Sequence, residues 1–123
     1  MTIELQTTGS YILNYLAVCD LLSKEQVYLA GIANSPLGDQ SERAMAAVAA
    51  ATIGIKLLEL NSAHEKYMQR LQAAVKAPSD AQIAQSISLS EKLAKDIRAA
   101  VHATVVIGIV TDFVIGWTAF TSQ

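Results

Sequence analysis

A single cysteine, Cys19, excludes an internal disulfide and any cysteine-built zinc cluster within this chain. Its expected role is that of a small buried hydrophobe. Only two prolines occur, Pro36 and Pro78, so nothing in the long stretches between them forbids continuous helix. Charged residues make up 16% of the chain, and the net charge of -2 supplies no basic surface for nucleic acid, which is therefore not an expected partner. There is no glycine-rich phosphate loop, no nucleophile elbow and no metal motif. Of the two histidines, neither His64 nor His102 follows a glutamate by three residues, as the helix pairs of di-iron bundles require. Both are read as structural, His64 as a polar layer in a helix seam. Ser79, Ser86, Ser88 and Ser90 have no base nearby in the sequence and read as solvated positions. No enzyme, cofactor or metal ligand is expected.

What remains is apolar and mostly small. Hydrophobic residues make up 52% of the chain and aromatic residues only 6%, with alanine prominent. That balance points to closely packed helices or to a membrane protein, and away from disorder. At 123 residues, one domain over 1–123 with its own core is expected. The first eleven residues carry Glu4 and no basic side chain, unlike the start of a secretory signal, so the cytoplasm is the expected compartment.

Hydrophobic periodicity and turn residues divide the chain into three helices. Residues 1–8 read as a polar lead-in, and Ser10 as the cap of helix 1, about 10–33. Asn34 to Asp39 is loop chemistry, and Asp39 with Glu42 resembles a capping box opening helix 2, about 39–76. Its seam Ile53, Leu57, Leu60, His64, Tyr67, Leu71 repeats by four and three. Pro78 forces a turn, and Ser79 with Gln82 opens helix 3, about 79–120.

Ala99 to Phe120 is the longest apolar run. Ala100, Thr104, Gly108, Asp112 and Gly116 fall on one helical face and leave it nearly bare. Ala46, Ala50 and Gly54 form a matching face upstream. An antiparallel hairpin of helices 2 and 3 is expected, with Gly54 against Thr104, Ala50 against Gly108 and Ala46 against Asp112. Arg43 lies one turn before Ala46, and a buried Arg43–Asp112 pair would fix that register.

Helix 1 is too short to cover such a hairpin beyond its base. Either an arm breaks, near Asn61–Ser62 or Ser86–Ser90, or a second subunit covers the rest. Neither place contains proline or glycine, which favours the second subunit. The fold expected is therefore all-α, a long antiparallel hairpin with a shorter N-terminal helix on its base. A homo-oligomer, most simply a dimer, would complete it to a four-helix bundle through a seam of Leu71, Val75, Ile83 and Ile87, with His64 and Ser90 as polar layers. The function expected is non-enzymatic, through self-association or binding of a partner helix. The alternative is a membrane-associated protein using 99–120, a run long enough to cross a bilayer.

Overall fold

Turn and cap chemistry sets the element boundaries. The computed structural model describes the backbone of residues 3–123 and side chains from Thr8 onward. It contains α1 (Ile3–Ala33), α2 (Gln40–Ala74), α3 (Asp80–Ala99) and α4 (Ala103–Thr121), and no strand among the described residues. The expected lead-in is helical from Ile3, while Met1 and Thr2 lie outside the described residues. Asp39 caps α2 by accepting the Glu42 N–H at 3.4 Å. Ser79 and Gln82 complete a capping box on α3, each side chain reaching the other's backbone N–H at 3.1 Å. α2 stops at Val75, which takes the left-handed conformation at φ 52. The Val75 and Lys76 N–H groups close the last turn onto the Gln72 and Leu71 carbonyls.

The expected helix over 79–120 is two helices. Ala100 and His102 are extended (ψ 129 and 144), so the chain turns back after Ala99 and restarts at Ala103. This break is at neither expected place, and it contains neither proline nor glycine. Local propensity does not cause it, because alanine is the best helix former. Tertiary burial does. Folding back buries Val106, Val110, Phe113, Trp117 and Phe120 against the other helices. Each such side chain contributes ~1.5–3 kcal/mol on burial, while a lost backbone hydrogen bond costs about 1 kcal/mol. The fourth helix of the bundle is thus supplied by the chain itself.

Six contacts fix the directions. Tyr11 meets His64 and Gln26 meets Ala50, so α1 and α2 are antiparallel. Ala46 lies near Ala103 at one end, and Arg70 donates to the Thr121 carbonyl at the other, so α2 and α4 run parallel. α3 returns antiparallel to α4, with Gln82 near Phe120 and Leu89 against Gly116. Around the bundle the order is α1, α2, α4, α3, with α2 and α3 on a diagonal.

A parallel α2–α4 pair overturns the expected antiparallel register. Gly108 faces outward, with nothing within 4 Å of where a Cβ would stand. The upstream groove at Ala50 and Gly54 is occupied, but by α1. The Gln26 amide approaches the missing Gly54 Cβ to 2.9 Å and donates to the Ala50 carbonyl at 3.1 Å. A Cβ at position 54 would force the Gln26 amide to shift.

Candidate functional site

The head of the bundle, where α1 begins and α4 ends, gathers most of the chain's rings. Tyr11 and Tyr15 are one turn apart on α1 and enclose His64 of α2. The Tyr15 and His64 rings stack 3.7 Å apart and within 6° of parallel. The Tyr11 hydroxyl lies 2.9 Å from His64 Nδ1, and the Tyr15 hydroxyl donates to Asn61 Oδ1. Trp117 packs on Tyr11, Phe113 and Phe120, the last edge-on at 4.9 Å. Tyr67 donates to Gln82 Oε1 at 2.7 Å, tying α2 to α3.

Burial sets the protonation of this cluster. It raises the Tyr11 and Tyr15 hydroxyls well above their ordinary value and moves Tyr67 up to about 12. All three therefore keep their protons as donors. Burial also lowers His64 below its ordinary 6.5, against an opposing pull from Glu65. A neutral imidazole then accepts the Tyr11 proton at Nδ1. Burial raises the Cys19 thiol, partly offset by a hydrogen bond with Tyr15, which disfavours a nucleophilic thiolate. The group is a neutral, hydrogen-bonded packing unit. Its two expected polar layers are completed by α1 of the same chain, His64 by Tyr11 and Ser90 by Asn14 at 2.8 Å.

The structure does not bring Arg43 and Asp112 together. Arg43 donates through Nε to the Ala33 carbonyl at 3.2 Å and ties the α1–α2 loop. Asp112 sits in the groove between α3 and α4 beside Lys92, which itself bonds Asp96 at 2.5 Å. The parallel course of α4 is the reason, since it places Ala103 rather than Asp112 near Ala46. Of the expected seam, Leu71 and Ile83 pack on the chain's own core. Val75, at 90% exposure, and Ile87, at 44%, point outward from separate places. His102 stands before the first turn of α4 and makes no side-chain cap.

Comparison with known protein families, curated proteins and solved structures finds no match. The surface must therefore speak for itself. Among the described residues, no group of three histidines, cysteines or carboxylates stands close enough to hold a metal. Exposed large apolar side chains occur on both α2 and α4. Val48, Ile55 and Leu58 on α2, with Val105 and Ile115 on α4, are all exposed. Ala44, Ala47 and Ala51 on α2 and Gly108 on α4 are exposed as well and add no bulk or charge. On α2, the first charge after Arg43 is Lys56, held by Glu59 at 3.0 Å. On α4 the sole charge is Asp112, in the groove with α3.

Sequence reasoning missed Asn14, Gln26 and Gln82 as part-buried polar groups, and the exposed Asn61 as the partner of Tyr15. The signal for Asn14 was its place among Tyr11, Tyr15 and Val18, which puts an amide on the apolar face of α1. The outward place of Gly108 was hidden by assigning it to a helix contact.

Proposed function

We propose that the protein acts by association rather than catalysis, and that the outer face of α2 and α4 is where a second copy docks. The exposed set Val48, Ile55, Leu58, Val105 and Ile115 supports this reading. Monomeric soluble proteins rarely leave so large an apolar surface open. Size supports it too. At ~1.5 Å per residue, the 19 residues of α4 give a face ~28 Å long. Two adjacent helices are about 20 Å wide, so two copies would bury roughly 1,200 Å², at the lower edge of stable interfaces. The alanines and Gly108 allow close approach of backbones across such a contact.

The membrane alternative draws on the same residues, since α2 and α4 are both long and apolar enough to cross a bilayer. The topology weighs against spanning. With α2 and α4 parallel, α3 must return between them, and it carries Glu91, Lys92, Lys95, Asp96 and Arg98. Charges at the centre of a bilayer are each costly. The deciding experiment is light scattering across a range of concentrations. A dimer is expected for the wild type and a helical monomer for the double variant Ile55→Lys with Val105→Lys. Ile87→Lys should associate like the wild type. A wild-type monomer at all concentrations removes the reading. Flotation of the wild type with lipid vesicles, abolished by the double variant, moves the face from protein to lipid.

A further inference from the structure

The base of the bundle holds a cavity of about 320 Å³ between the last turns of α1, the first turns of α2 and the start of α4. It exists because of how the chain crosses there. Ala100 and Ala103 flank the extended break and Ala46 faces them, so three methyl groups stand where larger side chains would fill the space. Of the two larger side chains of the break, Val101 is mostly exposed and His102 borders the cavity. The floor is apolar, with Leu29, Ala46 and Val106 buried and Met45 at the wall. The volume is at the lower end of the range for small-molecule sites.

The rim has the opposite character. Glu25 from α1 and Glu42 from α2 both border the cavity. Neither takes part in an ion pair among the described residues. The neighbouring cations are committed elsewhere, Lys24 to Asp20 at 2.8 Å and Arg43 to the Ala33 carbonyl. No lysine or arginine lines the space. An unmatched carboxylate beside low-dielectric walls focuses a negative potential into the opening.

We propose that this cavity binds a small amphiphilic amine, its alkyl body on Leu29, Met45 and Val106 and its ammonium group between Glu25 and Glu42. The inference is independent of the α2–α4 docking face, since it rests on the cavity and the charge at its rim. Partial burial raises Glu25 above its ordinary value, a cost that a neighbouring cation would offset. The first turn of α4 also borders the cavity with N–H groups that no side chain caps, and those would prefer an anion. The two head-group charges must therefore be tested against each other.

Hexylamine, hexanol and hexanoate are the probes, followed by amide chemical shifts of Ala46 and Val106 at neutral pH. Saturable binding of hexylamine is expected, about tenfold tighter than hexanol, since a charge-assisted hydrogen bond contributes that much. Hexanoate should not saturate. Glu25→Gln should bring hexylamine down to the level of hexanol and leave hexanol unchanged. That variant also relieves a buried carboxylate, so its fold is expected to survive. Met45→Trp, which fills the space, should abolish both while keeping the helical circular dichroism. Equal binding of all three probes, tighter binding of hexanoate, or indifference to Glu25→Gln overturns the proposal. So does hexylamine binding that persists in Met45→Trp, because the ligand would then sit elsewhere.

Discussion

At the head of the bundle α1, α2 and α4 are held by Tyr11, Tyr15, Tyr67, Phe113, Trp117 and Phe120, with His64 stacked among them. At the base the same helices meet through Ala46, Ala49, Leu29 and Val106, and a cavity of about 320 Å³ is left between them. Interaxial spacing in such bundles is ~8–10 Å at either end, so side-chain volume decides whether the gap is filled. Rings fill it and add hydrogen bonds that fix their orientation. Methyl groups do not. The head therefore reads as the part that specifies the fold, and the base as the part with room to bind.

That contrast is broken or sharpened most strongly by truncation at the two ends. Trp117 is fully buried against four rings, and Trp117→Ala should cost ~3–5 kcal/mol. Val106→Ala removes far less and borders a space that already exists, so about 1–2 kcal/mol is expected. Urea unfolding of both variants checks this. Comparable losses would mean that the base is packed as tightly as the head.

A smaller effect isolates the hydrogen bonds from the volume. Tyr11→Phe keeps the ring but leaves His64 Nδ1 without its donor, for an expected loss of about 1–2 kcal/mol. Tyr28→Phe, at a position 64% exposed, should change nothing measurable. If the two variants melt together, the head is held by ring packing alone.

The third test uses pH. The His64 pKa is lowered in the folded state, so below the ordinary 6.5 the unfolded chain takes up its proton more readily than the folded one. Stability from this group is fully present above 6.5, falls as pH drops through that value, and levels off beneath the folded pKa. His64→Gln should flatten the melting temperature between pH 5 and 7. A slope that persists unchanged in the variant would assign the dependence to another group.

Much of this architecture was legible in the residues, and its failures have physical causes. Asp39 and the Ser79–Gln82 box are local signals, readable because a cap needs only its own turn. Tyr11, Tyr15, Ile53, Leu60 and Tyr67 were legible as core by their spacing, and all are buried. The break at Ala100–His102 was not, because no breaker residue stands there and its cause is burial elsewhere in the chain. That one miss propagated. With helix 3 unbroken, the run 99–120 had to lie antiparallel to α2, which placed Asp112 opposite Ala46 and gave Arg43 a partner it does not have. The cavity was invisible for the same reason, since it forms only where the break carries α4 across.

The smallest expected effect bears on that miss directly. An antiparallel contact would make Gly108 a point of closest approach, where any side chain is forced between two backbones. In the parallel bundle Gly108 faces outward from the middle of α4, with open space around its missing Cβ. A helix-interior glycine in that setting loses ~0.5–1 kcal/mol relative to alanine, because the unfolded chain has more freedom to give up. Gly108→Ala should therefore raise stability by about that amount. Gly54→Ala should lower it, since the Gln26 amide stands 2.9 Å from the new methyl group and must surrender its bond to Ala50. Thermal melts at low protein concentration keep any contact between copies out of the measurement. A Gly108→Ala variant that melts below the wild type under those conditions would restore the close backbone contact and the antiparallel register with it.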